Sequence, residues 1–220
     1  MGNPDLEKVI ERYAKLYSYP AKYSFGSPGE TMEGIYYIKE GRTTHYMLNY
    51  DGIEKNLYTL TKGWFFGETP HLLNTKTGLY SRTEVPSQLY QIKHENVNYL
   101  LDNNHLFRQA VLQCQANKLL ILRCEIENLC FNTCKERLLR ILYASVDLEN
   151  SIDPQWYDLK MRYTHLQLGE MIGAARVTIS KLIQKLCDEN FIRILNRKIQ
   201  VNSQYYEKNQ TVGEPTWYRG

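Results

Sequence analysis

Over the first hundred residues, apolar and polar positions alternate in short runs. Gly34-Ile-Tyr-Tyr-Ile-Lys39, Thr43-Thr-His-Tyr-Met-Leu48, Asn56-Leu-Tyr-Thr-Leu60 and Gln88-Leu-Tyr-Gln-Ile92 are rich in β-branched and aromatic residues, which suit a pleated, half-buried surface. Between the runs stand Ser27-Pro-Gly29, Glu40-Gly41, Asp51-Gly52, Lys62-Gly63 and Thr77-Gly78, the residue types that supply turn dihedrals. The pattern predicts β structure from about Lys22 to Asn98, arranged as a sandwich or barrel. Asp51-Gly52 predicts a two-residue hairpin turn, because glycine takes the positive φ of a primed turn. A short amphipathic helix is expected ahead of the strands, over Asp5–Leu16.

The period then changes from two to three and four. From about Asn104 to Glu127 the chain has no Gly or Pro and carries Leu112, Ala116, Leu119, Leu122, Ile126 and Cys130 at helical spacing. Val111, Leu120 and Ile121 widen the stripe beyond what a surface helix needs. A helix of this length spans roughly 35 Å. Its apolar surface predicts contact with its own domain and with a second copy of the chain; a helix buried within one monomer is the alternative. A second helix is expected from Cys134 to about Ser145.

Further on, Leu168, Met171 and Ile172 form one short apolar face, and Ile179, Leu182, Ile183 and Leu186 form another. Gly173 divides them where a positive φ is wanted. Two short amphipathic helices joined in this way predict a helix-turn-helix, with Arg176, Val177, Ser180 and Lys181 on the outer face of the second helix. Phe191-Ile-Arg-Ile-Leu195 and Lys198-Ile-Gln-Val201 flank Asn196-Arg197 and predict a hairpin wing. From Gln204 the sequence is Tyr-rich, polar and aperiodic, and an irregular extension is expected.

Charge sharpens this picture. The chain has 220 residues and a net charge of +3. Lys160, Arg162, Arg176, Lys181, Lys185, Arg193, Arg197 and Lys198 outnumber Asp158, Glu170, Asp188 and Glu189 between Gln155 and Ser203. The remainder is close to neutral, so the basic residues collect around the helix-turn-helix, as a nucleic-acid-binding module requires. Five cysteines with no C-x-x-C spacing argue against a disulfide framework and a zinc ribbon. No apolar run approaches ~18 residues, and the N-terminal residues are polar where a signal peptide would be apolar. These features predict a reduced, cytoplasmic protein. No Walker A loop, G-x-S-x-G, H-E-x-x-H or G-x-G-x-x-G is present, so an enzyme is not expected.

Several local motifs, in this order, make the chain resemble the CRP/FNR family of bacterial transcription regulators over nearly its whole length. They are Gly41 in Ile38-Lys-Glu-Gly-Arg42, Asp51-Gly52, Gly63-Trp-Phe-Phe-Gly-Glu68, Asn128-Leu-Cys-Phe131 with Arg137, and Gly169-Glu-Met-Ile-Gly-Ala-Ala-Arg-Val-Thr-Ile-Ser-Lys181. The resemblance implies an α+β fold with four sections. Residues 1–103 would form a jelly-roll-like β-roll sensor, and 104–133 the dimerisation helix and hinge. Residues 134–203 would form a winged helix-turn-helix, followed by the irregular tail over 204–220. It places the exit of the long helix through its hinge at Asn128–Phe131. It also implies a homodimer on a palindromic duplex operator, a small-molecule effector, and RNA polymerase as a further partner.

The same resemblance assigns DNA contacts to Arg176, Val177 and Lys181. The chemistry agrees, since Arg presents two donors to guanine O6 and N7 and Lys one compact cation. Val177 stands where several members carry an acidic residue, and an apolar side chain meets a thymine methyl instead. Ser180 is open to base, phosphate or solvent contact. Thr178 is expected to cap the helix or touch phosphate, and Arg197 to lie beside the backbone. For the sensor, the resemblance implies effector contacts from Gly67, Glu68, Thr69, Tyr80 and Arg82, with Arg123 reaching in from the long helix.

Cyclic-AMP-binding members place an Arg-Ser pair some ten residues after the Gly-Glu corner. Here that place falls near Thr77-Gly78, and a buried phosphodiester without its guanidinium costs several kcal/mol. An iron–sulfur cluster needs several thiolates within reach of it, and no Cys precedes Cys114. Neither a cofactor nor a metal is expected. The run Leu79-Tyr-Ser-Arg-Thr-Glu-Val-Pro-Ser87 is similar to that of the dehalorespiration regulators, which points to an aromatic acid or phenol as effector. Three alternatives stay open. They are a regulator that binds DNA without an effector, a thiol switch at Cys124, Cys130 and Cys134, and haem ligation by His45, His71, His94 or His105.

Overall fold

The structure is a computed structural model that describes residues 3–209. It divides into two compact units, one comprising Met1–Met47 and Asn56–Leu122, the other Leu48–Lys55 and Arg123–Gly220. In chain order the elements are helix α1 (Pro4–Tyr13) and strands β1 (Lys15–Tyr19), β2 (Ser24–Gly26), β3 (Ile35–Glu40), β4 (Arg42–Leu48), β5 (Glu54–Thr61) and β6 (Phe65–Phe66). Helix α2 (Glu68–Leu73), strands β7 (Tyr80–Thr83) and β8 (Ser87–Ile92), and helices α3 (His94–Asn103) and α4 (His105–Phe131) follow.

Two four-stranded sheets form, in the orders β1-β8-β3-β6 and β2-β7-β4-β5. β3 is central to the first, and Ile35, Tyr36, Tyr37 and Ile38 are all buried, so both of its faces are covered. Ile35 and Tyr37 join Leu6, Ile10, Val97, Leu100, Phe107, Val111 and Cys114 in a core shared with the helices. Tyr36 and Ile38 pack instead with Met32, Leu60, Phe66 and Leu89. This is the jelly-roll-like arrangement expected.

Three local differences have physical causes. The first helix stops at Tyr13, and Leu16 belongs to β1, whose Lys15–Tyr19 pairs in register with β8. The turn at Asp51-Gly52 is longer than a two-residue hairpin. Asn49 Oδ1 accepts from the amides of Asp51 and Ile53, and Gly52 takes φ 74° to close the loop. The long helix runs on to Phe131, so Asn128–Phe131 is helical and the break falls at Asn132-Thr133. There Thr133 and Glu136 form a capping box that starts the next helix.

The second unit continues with α5 (Cys134–Ala144), β9 (Trp156–Asp158), α6 (His165–Ile172), α7 (Arg176–Asp188), β10 (Ile192–Leu195), β11 (Lys198–Asn202) and α8 (Ser203–Asn209). Leu138, Leu142, Leu168, Ile172, Ile179, Ile183, Leu186, Ile192 and Val201 form its core. The wing is present, and β9 adds a third strand beside β11. Ser203–Asn209 is helical where the sequence led to an irregular tail, with Tyr206 packing against Tyr143 and Tyr157. The rest of that tail lies outside the described residues.

α6 begins with a capping box between Thr164 and Gln167 and ends at Gly173 with φ 70°. A Cβ on Gly169 would sit 2.5 Å from the Ala174 carbonyl oxygen, which leaves only glycine where the two helices approach. Gly169→Ala should therefore cost about 1–3 kcal/mol through backbone displacement, read as a lower denaturant midpoint for the second unit.

Candidate functional site

In the first unit, the chain leaves β6 through Gly67, whose φ of 86° turns it into α2 and puts Glu68 at the first helical position. Glu68 is fully buried. Its Oε1 is paired with Lys118 of α4, and its Oε2 is buried without a hydrogen-bond partner among the described residues. Lys118 is 5% exposed and also donates to the Phe65 carbonyl at 2.7 Å, with its ammonium 5.6 Å from the Tyr58 ring centroid. His45 is buried beside this pair, with Nδ1 2.8 Å from Ser81 Oγ and Nε2 3.1 Å from Thr43 Oγ1. Burial, and then the Lys118 charge, hold its imidazole well below the ordinary value. Burial pushes the Tyr58 phenol and the Cys114 thiol up. The interior thus holds one ion pair among neutral polar groups, walled by Tyr58 and Phe66.

Of the residues expected at an effector site, Gly67, Glu68 and Thr69 sit together, Thr69 Oγ1 accepting from Gln115 Nε2 at 3.0 Å. Tyr80 and Arg82 meet at Tyr46 instead. The Tyr80 ring stacks on it at 5.2 Å, and the Arg82 guanidinium lies 4.5 Å from its centroid while bonding Glu84. Arg123 belongs to the second unit and is exposed. Sequence reasoning missed Lys118 and Tyr58, and named His45 only as a candidate haem ligand. For Lys118 a signal existed, because Phe107, Val111, Cys114 and Lys118 follow one another at helical spacing on the buried face of α4. Thr77 is buried where a cyclic phosphate would need a guanidinium, and its hydroxyl donates to the Leu79 carbonyl.

In the second unit, Arg176, Val177, Thr178, Ser180 and Lys181 are all exposed on α7, while Ile179, Ile183 and Leu186 face inward. Thr178 does not cap the helix, because Ala175 is the N-cap and no side chain bonds there. The first-turn amides are thus left for another acceptor. Ser180 donates to the Arg176 carbonyl and is 2.9 Å from His165 Nδ1, so its hydroxyl is committed within the protein. The wing turn holds Asn196 and Arg197 at φ 50° and 59°, the two positive values of a type I′ hairpin. Arg197 there joins Lys160, Arg162 and Lys198 around an open cavity of about 280 Å³ that also includes Asp158.

For the remaining sensor chemistries, His45, His71 and His94 each have both ring nitrogens in hydrogen-bond contact. Cys130 is exposed, and Cys134 is half-buried with Arg137 Nη2 3.1 Å from its sulfur. No group of three or more His, Cys, Asp or Glu suited to a metal ion occurs among the described residues. Nor is any described helix long and apolar enough to cross a membrane.

Comparison with known proteins follows the same division. Residues 18–104 match the cyclic nucleotide-binding domain family and residues 136–204 the Crp-like helix-turn-helix domain family. The chain is 22% identical over 207 residues to the cAMP-activated global transcriptional regulator CRP of Salmonella typhimurium, covering 91% of this chain and 97% of that protein. Its fold resembles that of CLP, the c-di-GMP-responsive global regulator of Xanthomonas campestris, with a TM-score of 0.77 and 20% identity over 89% of this chain and 97% of that one. It also resembles OCPA-complexed CprK, with a TM-score of 0.66 and 17% identity over 90% and 91% of the two chains.

Proposed function

The chain belongs to the CRP/FNR family of DNA-binding transcription regulators, and from that premise we propose that it is a cytoplasmic homodimer gated by a small-molecule effector other than cyclic AMP. The observation that carries the effector reading is the buried Glu68–Lys118 pair. Lys118 brings a positive charge to the Gly-Glu corner, while Glu68 keeps one oxygen unsatisfied. An effector that suits this corner is anionic at one atom, to face Lys118, and carries a hydrogen-bond donor for Glu68. An aromatic acid bearing a phenol meets both needs. A cyclic phosphate finds no guanidinium at Thr77-Gly78. Such an effector gates only through its differential affinity for the DNA-competent state.

The DNA-reading groups are Arg176, Val177 and Lys181, with Arg197 on phosphate and the first-turn amides of α7 beside it. In a two-fold dimer the two α7 helices would read half-sites about 34 Å apart. The long helix supports such a dimer. Leu112, Leu119 and Ile126 recur every seven residues and are 62%, 66% and 62% exposed, while the chain's own core takes Phe107, Val111 and Cys114 instead. Leu119→Asp with Ile126→Asp should convert the dimer to monomer in sedimentation equilibrium. An unchanged mass would remove this seam.

The function is tested by selecting binding sites from a random duplex pool, with and without a panel of hydroxybenzoates and chlorophenols. Enrichment of a palindrome only when a phenolic acid is present is the expected result. Enrichment without any additive would favour a regulator that needs no effector, and cyclic AMP as the enriching compound would overturn the effector assignment.

A further inference from the structure

We propose that Lys55 is a latch that fixes the helix-turn-helix to the last turns of the long helix, and so sets the half-site spacing that a dimer of this chain reads. The proposal rests on the dimer seam along α4. Lys55 is the second residue of β5, and the loop that delivers it, Leu48–Lys55, groups with the second unit. Its ammonium lies 2.8 Å from Glu125 Oε1 of α4 and donates to the Met171 carbonyl of α6 at 2.6 Å. The two side chains of the ion pair are only 13% and 10% exposed. The aliphatic stem of Lys55 covers Gly173, where an added Cβ would come within 2.9 Å of its Cδ. One side chain thus touches the long helix, the last turn of α6 and the turn between α6 and α7.

Each contact has a physical reason. Met171 lies in the last turn of α6, whose carbonyls have no amide of their own helix to accept from. A cation there also meets the negative end of the helix dipole. Glu125 supplies the counter-charge that a buried ammonium needs. Burial lowers the Lys55 value, and Glu125 raises it against burial and the Arg137 charge. The loop ahead of Lys55 is braced, because Asn49 Oδ1 accepts from the amides of Asp51 and Ile53, and the Asn49 amide donates to the Ile53 carbonyl at 3.1 Å. A braced loop delivers the ammonium with little conformational freedom left to lose.

The position of the latch gives it its role. The chain breaks between α4 and α5 at Asn132-Thr133, and Glu125 precedes the break while Met171 follows it. The apolar core around Leu138, Ile172 and Ile183 draws no side chain from α4 among the described residues. The orientation of that core on the end of α4 is therefore left to polar ties across the break, and Lys55 makes two of them from one atom. Next to Glu125 stands Ile126, 62% exposed on the seam. The latch thus joins the turn of α4 that faces a second copy to the turn that leads into α7. Arg176, Val177 and Lys181 stay exposed beyond it, so Lys55 is a positioning residue and reads no base itself.

The test is fluorescence anisotropy on the full chain with three duplexes: the selected palindrome, the same palindrome with one base pair inserted at its centre, and an isolated half-site. The inserted pair shifts one half-site by about 3.4 Å and turns it by about 35°. The unaltered chain should lose about tenfold in affinity on the insertion, and Lys55→Met should reduce that ratio to about twofold while half-site affinity stays unchanged. Lys55→Met leaves Glu125 buried without its cation, so Lys55→Met with Glu125→Leu is measured alongside, with its unfolding midpoint checked in urea. The double variant removes the tie without stranding a charge and should show the same loss of spacing preference. A folded double variant that keeps the tenfold ratio would overturn the latch. So would a fall in half-site affinity equal to the fall on the palindrome, because the reading face itself would then have moved. An unaltered chain indifferent to the insertion would instead remove the dimer seam, and the latch with it.

Discussion

Replacing Lys118 with Met should destabilise the first unit by about 3–5 kcal/mol, because it leaves a carboxylate buried without its cation. Glu68 is fully buried, and Lys118 supplies the one ionic partner it has among the described residues. Met keeps most of the volume of the lysine stem, so little of the loss would come from a cavity. The cost should follow the charge, and Glu68→Met on top of Lys118→Met should recover most of it, since a buried pair replaced by well-packed apolar residues is often neutral. The double-mutant cycle in urea reads the coupling directly. A single-variant loss under about 1 kcal/mol would mean that the pair is solvated and worth no more than a surface ion pair. The double variant also separates fold from function: it should keep its unfolding midpoint and its dimer while losing the response to phenolic acids, because both groups that face the effector are gone.

The contrast between this pair and the helix-turn-helix shows what a sequence discloses. Thr164 and Gln167 are three residues apart, Gly173 sits where α6 must end, and Asn196-Arg197 lies between two alternating runs. Each of these is a local rule, so the second unit could be read almost directly. Glu68 and Lys118 are 50 residues apart, and His71 and His94 are 23 apart. No local periodicity brings such partners together; only closure of the β-roll against α4 does. The long helix was legible in length but only partly in phase. Its apolar series was plain, yet the face its own core uses is Phe107, Val111, Cys114 and Lys118, and the more regular Leu112, Leu119 and Ile126 face outward. At Asp51-Gly52 the glycine was read correctly as positive in φ, but the Asn49 side chain takes two amides and lengthens the loop. Thr178 followed the capping preference of its residue type, whereas the N-cap of α7 is Ala175 and the helix has already begun at Arg176.

Arg176→Ala should lower affinity for the selected operator by about 1–3 kcal/mol and relax its sequence at one position per half-site, because a bidentate guanidinium contact is what distinguishes guanine there. Lys181→Ala should act at a second position in the same direction. Arg197→Ala belongs to a different class. It lies on the wing turn with Lys160, Arg162 and Lys198, so it should weaken binding to all duplexes alike and reduce the salt slope by about one. Fluorescence anisotropy on operator and scrambled duplex at several salt concentrations separates the two outcomes. Val177 offers the sharper test, because it is 65% exposed and makes room for a longer side chain. Val177→Glu adds an acceptor suited to the cytosine amino group and removes the methyl contact open to thymine. Repeating the selection with this variant should move one position of each half-site toward cytosine and leave the spacing between half-sites unchanged. The spacing is set by the dimer and the base by α7, so a variant that changed the spacing instead would show that Val177 faces something other than a base edge.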